Sequence, residues 1–327
     1  MNISVIGSGS WGIALSIYLA KQGNNIKVWS FDENERNKIN NEKKCIFLPN
    51  VDLPAGIYCT NSYEEALEDT EVVLHVTPSK FTRNIIKGYK EYIKPNQCIL
   101  MCSKGFEAGT NLTLGEVIEE ELPDIKYGIL SGPSHAEEVA IGVPTALVVA
   151  SKDEEVIQKT SDLFRSDILR IYYTNDIKGV ELGGALKNII AFCAGAAAGL
   201  NCGDNTFAML ATRGLVEISR LGVAMGGENK TFYGLTGLGD LIVTCGSQHS
   251  RNRKAGELIG KGYTIEEAKK EIGMTIESID NIDVAYCLSK KYNIEMPIVE
   301  TVYNVLYNGL NPKDAVNILM TREAKAE

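Results

Sequence analysis

A run of thirty residues near the start, ISVIGSGSWGIALSIYLAKQGNNIKVWSFD at positions 3–32, constrains this chain more than any other feature. An apolar run over 3–6 meets Gly7-Ser8-Gly9-Ser10-Trp11-Gly12. A helical pattern follows, with Ile13, Ile17 and Ala20 on one face and Gly23 as its stop. A second apolar run over 26–29 leads to the acidic Asp32. Strand, glycine turn, helix, strand and acid stand at the separations of a dinucleotide-binding βαβ unit. Gly7 permits the tight turn, Gly9 lets backbone approach a pyrophosphate, and Gly12 lets the helix pack closely on the strand. Backbone N–H groups and the dipole at the helix start then face the phosphates. The glycine spacing alone is a weak signal; the surrounding strands and helix make it specific.

Beyond Asp32 the segment to Asn50 is polar. Strands are expected over 57–60, 72–76, 98–103, 127–131, 145–150 and 168–174. Helices are expected from a cap at Ser62, from Ser79, and over 153–164. This alternation predicts an α/β half with a mostly parallel, doubly wound sheet. Ligands of such sheets lie outside the carboxyl ends of the strands. The glycine turn, Asp32, Pro78, Lys104 and the run 131–134 all fall at expected strand ends, so they can line one crevice. Lys104 reads equally well as a surface lysine.

From about Gly179 long helical periodicities replace the strands. Phe207, Leu210, Leu215, Ile218 and Leu221 mark one helix; Ile298, Val302, Val305 and Leu306, after Pro297, mark another. The expected plan is an N-terminal doubly wound Rossmann-type domain over 1–178, then an all-helical C-terminal domain over 179–327, frayed at 323–327.

Composition narrows the function. With 44% hydrophobic residues among 327, the chain can bury a full core. Its apolar runs are too short for a bilayer, and MNISVIGSG lacks the marks of a secretory signal. A net charge of −9 argues against a nucleic-acid surface. Eight cysteines without a CxxC pair, with Cys98, Cys102 and Cys193 inside apolar runs, favour reduced core thiols in a cytoplasmic enzyme over disulfides or zinc. No histidine pair has metal-ligand spacing, and no GxSxG nucleophile signature occurs. His75 reads as a core residue, while His135 lies near the expected crevice and His249 beside a basic motif.

Three stretches of the helical half can carry chemistry. In ELGGALKN, a helix would place Gly183 and Gly184 one turn before Lys187, with Ala191 and Ala194 after it. Such a small-residue face can pack closely on the other domain and bring a lysine into the contact. That lysine is either a snorkelling side chain or a partly desolvated acid/base. In GLTGLGD, glycines around one acid predict a tight loop holding Asp240 rigidly, with an ordinary Asx turn as the alternative. In SRNRK, Ser250 can cap a helix whose positive end and arginine fork suit a phosphate; a solvated basic helix start is the other reading.

Together these motifs resemble the NAD(P)-dependent glycerol-3-phosphate dehydrogenase family. The match runs in order over nearly the whole chain: GSGSWG, SKGFE, SGPSHAEEVAIGVPTA, LGGALKNIIA, GLTGLGDLIVTC and SRNRKAGE. The resemblance implies reversible hydride transfer between NAD(P)H and dihydroxyacetone phosphate, giving sn-glycerol 3-phosphate for glycerophospholipid synthesis. It implies Lys187 as the general acid/base and Asp240 as its support. Arg251, Asn252 and Ser250 would hold the substrate phosphate, and Lys104, Gly132 and Ser134 would complete the substrate pocket. Ser10, Trp11, Lys104, Ala136, Arg251, Thr275 and Glu277 would contact the cofactor. Two departures stand out: MTIES has Thr275 and Ser278 where the family has valine and glycine, and His135 replaces a frequent phenylalanine.

Two other readings stand beside it: a reductase with the same two-domain plan acting on a hydroxyacid or ketopantoate-like substrate, and a non-catalytic cofactor sensor. The first needs no phosphate clamp such as SRNR, and the second no Lys187, Asp240 and Arg251. NAD(H) is the expected cofactor, with NADP(H) tolerated. The run Ser30-Phe31-Asp32-Glu33 puts acids where a 2′-phosphate would need a cation, although Arg36 and Lys38 follow closely. Phe31 could cover the adenine. The sequence leaves the oligomeric state open, a homodimer included.

Overall fold

A computed structural model describes residues 1–324. The chain divides into two compact units. Unit 1 comprises Met1–Glu107 and Leu112–Glu181; unit 2 comprises Ala108–Asn111 and the chain from Leu182 onward. Residues 325–327 of the expected frayed end lie outside the described residues, and residues 323 and 324 are exposed and non-helical.

Unit 1 holds eight strands: β1 (Asn2–Ile6), β2 (Asn25–Trp29), β3 (Ile57–Thr60), β4 (Val72–His75), β5 (Cys98–Met101), β6 (Lys126–Ser131), β7 (Thr145–Ala150) and β8 (Leu169–Thr174). They form one sheet in the order β3-β2-β1-β4-β5-β6-β7-β8. Neighbours run parallel except β6 and β7, which are antiparallel. β4 and β5 are buried at every position, as strands covered on both faces must be; β5 is apolar throughout and β4 up to its last residue, His75. Ile3 pairs with Ile26 on one side and Val72 on the other, and Val5 with Val28 and Leu74. The chain therefore winds outward from β1 through β2 and β3, then returns to β4 on the opposite side. This reversal sits directly beyond Ile6, and it is where doubly wound sheets open a ligand crevice.

The structure adds one element and shortens another. The polar segment after Asp32, to which the sequence assigns no element, forms a short helix, Glu33–Asn37, and a π-helical turn, Lys38–Glu42. Asp32 supplies the cap, accepting from Glu35 N at 2.9 Å, so capping rather than apolar periodicity carries this element. β5 also ends before Ser103. Cys102 N still bonds His75 O at 2.9 Å, but Ser103 Oγ turns to donate to Thr77 O, starting the loop.

The helix Ile177–Gly199 contains the unit boundary. By length and composition it could cross a bilayer, contrary to the expectation for this sequence, yet 83% of its most apolar window is buried in the protein. Unit 2 adds the helices Asp204–Ala224, Asp240–Gly246, Arg251–Gly260, Ile265–Ile272, Glu277–Lys291, Pro297–Tyr307 and Pro312–Met320. Ile177–Gly199 and Arg251–Gly260 cross almost backbone on backbone. A Cβ on Gly195 would lie 1.9 Å from Arg253 O, and one on Gly256 would lie 1.8 Å from Phe192 O. Only hydrogen fits at that crossing.

Two buried carboxyls shape the pH response. Glu217 accepts from Ile298 N at 2.8 Å and Val299 N at 3.2 Å, capping Pro297–Tyr307, whose own N-cap Met296 makes no side-chain capping hydrogen bond. Glu181 accepts from Gly115 N at 2.7 Å. Burial pushes both up to about 7, above the ordinary 4.5. Folded protein thus binds these protons more tightly than unfolded protein, so their contribution is full below about 4.5 and is lost as pH rises through about 7. We expect Glu217→Gln to flatten the fall in thermal midpoint between about pH 5 and about pH 8. A variant with the wild-type fall would contradict the assignment.

Candidate active site

The glycine turn stands at the topological reversal. Gly7 has φ +119°, and its N–H donates to Trp29 O at 3.0 Å, tying the end of β1 to the end of β2. A Cβ there would strike Val76 O at 2.5 Å, so β4 closes the other side. Gly12 meets Gly7 O, where a Cβ would come to 2.2 Å. Gly9 differs: a Cβ on it would meet nothing within 4 Å. Gly9 is also the N-cap of the helix Ser10–Lys21, which has no capping side chain and no acid in its first turn. Open space before uncapped donors at a positive helix end fits a dinucleotide pyrophosphate. Ser10 and Trp11 sit half-buried at this helix start.

At the end of β2, Ser30 Oγ accepts from Ser8 Oγ at 2.8 Å, and Phe31 is 81% exposed. Asp32, the acid expected at the end of the second strand, has one oxygen engaged in the cap of the following helix.

A second cluster lies at the ends of β5 and β6. Lys104 is half-buried and donates from Nζ to Gly132 O at 3.2 Å, and Ser134 Oγ donates to the same carbonyl at 3.2 Å. Gly132 has φ +138°. Ser131 Oγ is buried without a hydrogen-bond partner, and with Lys104 and Glu181 it lines a small cavity. Ala136 is 7% exposed and packs in the core; His135 precedes it at the N-cap of Ala136–Ile141. His75 is fully buried between Tyr89 Oη at 3.2 Å and Thr77 Oγ1 at 2.7 Å, and burial lowers it to about 3.

The loop carrying Lys104 is clamped by Arg83, which sequence motifs do not flag. Its Nε and Nη2 bind the two carboxylate oxygens of Glu107 at 2.7 and 2.8 Å. Nη1 reaches Glu121 at 2.8 Å, and Nη2 also reaches Glu120 at 2.7 Å.

In unit 2 the structure brings Lys187 and Asp240 together. Lys187 is 5% exposed and Asp240 1% exposed. Lys187 Nζ is ion-paired and hydrogen-bonded to Asp240 Oδ1, and it also donates to Thr244 Oγ1 at 2.7 Å. Thr244 Oγ1 donates to Asp240 O at 2.6 Å, which binds the trio to one helix turn. The small-residue face of the lysine helix closes within unit 2: a Cβ on Gly183 would lie 2.8 Å from Thr236 O. The glycines before Asp240 form not a loop but a π-helical turn, Leu235–Gly239, leading into Asp240–Gly246. Gly237 is required there because Phe232 O would lie 2.0 Å from its Cβ. Thr244 escapes sequence reasoning because its place beside Asp240 follows only once 240–246 is helical.

Ser250 caps Arg251–Gly260, accepting from Arg253 N at 3.2 Å. Arg253 bonds Gln248 and lies 3.6 Å from Glu257. Arg251 is half-buried and makes no hydrogen bond or ion pair among the described residues. Asn252 Oδ1 accepts from Ser278 N at 2.9 Å, leaving its NH2 as the remaining donor. Glu277 Oε2 accepts from Asn188 Nδ2 at 2.9 Å, and Thr275 is half-buried just before this helix. Ser278, at the family's glycine position, is 2% exposed. No cluster of metal-ligating side chains occurs among the described residues.

Comparison with known proteins agrees along the full length. The family model for the NAD-dependent glycerol-3-phosphate dehydrogenase N-terminus matches residues 2–157, and that for the C-terminus matches 176–317. A Fusobacterium nucleatum protein named glycerol-3-phosphate dehydrogenase (NAD(P)+) is 51% identical, covering 100% of this chain and 98% of its own. A Clostridium perfringens protein of the same name is 46% identical, covering 99% and 98%. The crystal structure of glycerol-3-phosphate dehydrogenase from Coxiella burnetii superposes with a TM-score of 0.95 at 36% identity, covering 98% and 99%. D-mandelate dehydrogenase, at 14% identity and a TM-score of 0.64, shares the fold alone.

The Arg83 clamp generates a direct test. Charge-assisted hydrogen bonds of this kind are worth roughly 1.5–3 kcal/mol, so Arg83→Gln is expected to lower unfolding stability in urea by about that amount. An unchanged midpoint would show that the three carboxylates are held without it.

Proposed function

The chain belongs to the NAD-dependent glycerol-3-phosphate dehydrogenase family, and from that premise we propose that it interconverts dihydroxyacetone phosphate and sn-glycerol 3-phosphate with Lys187 as the general acid/base. It is an NAD(P)-dependent oxidoreductase acting on a CH–OH group. The product would supply glycerophospholipid synthesis in the cytoplasm.

One observation carries the acid/base reading: a buried lysine held by a buried carboxylate and a threonine hydroxyl. Burying an ion pair is a poor way to gain stability, because desolvation cancels much of the attraction. Its burial at that cost supports a chemical role for the pair. When bound, the nicotinamide cofactor supplies the hydride that reaches C2 of the ketone. Negative charge develops on the ketone oxygen, and an ammonium at that oxygen polarises the carbonyl and then gives it a proton. Proton loss leaves Lys187 neutral beside the Asp240 carboxylate. In oxidation the neutral Nζ takes the C2 hydroxyl proton, and Asp240 stabilises the ammonium that forms. Asp240 and Thr244 also fix the direction of the Nζ donors.

Ser10, Trp11 and the open space at Gly9 would hold the dinucleotide, with Lys104, Ala136, Arg251, Thr275 and Glu277 as further contacts. Arg251 supports a phosphate substrate, since it is the arginine of SRNR without a partner among the described residues. A guanidinium fork at a helix N-terminus suits a phosphate dianion, and Asn252 adds its NH2. Lys104, Gly132 and Ser134 would complete the substrate pocket. NADH is the preferred reductant in this reading because Asp32 and Glu33 put acids at the end of β2.

The test is loss of NADH absorbance with dihydroxyacetone phosphate, set against unphosphorylated dihydroxyacetone, oxaloacetate and ketopantoate. Dihydroxyacetone phosphate should be the efficient substrate. Lys187→Ala should fold and still bind NADH, yet lose turnover by about 10²–10⁴-fold or more. Turnover within a few-fold of wild type, with cofactor affinity intact, would move the acid/base role elsewhere; His135 would be examined next.

A further inference from the structure

Beyond β2, next to the exposed Phe31 and the acids Asp32 and Glu33, the following helix carries a group of opposite charge. Arg36 lies in the last turn of Glu33–Asn37. Its Nη1 donates to two carbonyls, Ser30 O at 3.0 Å and Phe31 O at 2.9 Å. Those carbonyls belong to the first two residues beyond β2, so the guanidinium is anchored at the strand end itself. In a doubly wound nucleotide site, the adenosine ribose lies at this point.

The two bonds use both hydrogens of Nη1. A guanidinium has five, so Nε and Nη2 keep three, of which Nε–H and one Nη2–H lie parallel along one edge as a fork. Arg36 forms no ion pair among the described residues. The adjacent acids are engaged or directed elsewhere. Asp32 Oδ1 caps the helix, and Glu35 is 1% exposed, accepting from Ile46 N at 3.1 Å. Glu33 is exposed to water, where a charge is screened. A half-buried, pre-positioned guanidinium edge is well suited to a phosphate monoester. An adenine ring stacked on the exposed Phe31 would bring its ribose to the same place.

We propose that Arg36 is a specificity-determining residue that receives the 2′-phosphate of NADPH and lets a site with acids at β2 accept both nicotinamide cofactors. The proposal rests on the cofactor reading above but not on the substrate, and its test uses no substrate. Quenching of tryptophan fluorescence would be titrated with NADPH, NADH, 2′,5′-ADP and 5′-AMP in wild type and in Arg36→Gln. We expect Arg36→Gln to weaken NADPH and 2′,5′-ADP at least about tenfold while NADH and 5′-AMP shift less than about twofold. Arg36→Lys should fall between, keeping charge without the fork. Equal weakening of all four ligands would assign Arg36 a structural role and overturn the proposal. Unchanged NADPH affinity in Arg36→Gln, or no discrimination by wild type between 2′,5′-ADP and 5′-AMP, would also overturn it. If the protein binds both cofactors as expected but does not reduce dihydroxyacetone phosphate, the substrate reading fails and this one stands.

Discussion

Two backbones touch at Gly183 and Thr236, and the chemistry of the helical unit depends on that contact. A methyl group on Gly183 would stand 2.8 Å from Thr236 O. With hydrogen there, the lysine helix and the π-helical turn close together. One turn farther along each lie Lys187 and Asp240, at the same spacing of four residues. The close approach is thus carried forward into a buried ion pair. The crossings at Gly195 and Gly256 extend the same geometry to the helix that Ser250 caps. Glycine positions fix where the lysine and the arginine of this unit stand.

In the nucleotide-binding unit a different constraint acts. Sheet topology makes an opening beyond β1, and Gly7 lets the chain turn between Trp29 O and Val76 O. Gly9 keeps the space ahead of the helix clear. The glycines have distinct duties: Gly7 and Gly12 admit neighbouring backbone, while Gly9 leaves room for something that is not protein. Lys104 and Gly132 sit at the ends of two further strands, and Arg83 holds the lysine loop from a helix 24 residues away in sequence from Glu107.

The sheet was legible because a strand buried on both faces reads as a largely apolar run, and 72–74 and 98–102 are such runs. The helical unit was legible from the periodicity of residues such as Leu215 and Ile218. Elements held by polar groups were not: the 33–42 segment depends on the Asp32 cap and carries few apolar positions. A small-residue face announces close packing but not its partner, so the surroundings of Gly183 had to come from three dimensions. Glycines signal equally a loop or a crowded turn, and only Phe232 O beside Gly237 decides between them. Lys187 and Asp240, 53 residues apart, could be paired from sequence only through family motifs, and Thr244, although inside the motif that carries Asp240, has no role readable before the helix is known.

The central claim is that Asp240 keeps Lys187 charged and aimed so that it can protonate the reduced ketone. The most direct measurement is the pH dependence of kcat for dihydroxyacetone phosphate reduction in wild type and in Asp240→Asn. Removing the carboxylate removes the charge that favours the buried ammonium, so the lysine should lose its proton at lower pH. The account predicts that the alkaline limb of the profile moves to lower pH in Asp240→Asn, with NADH binding retained. An alkaline limb at the wild-type position would contradict it.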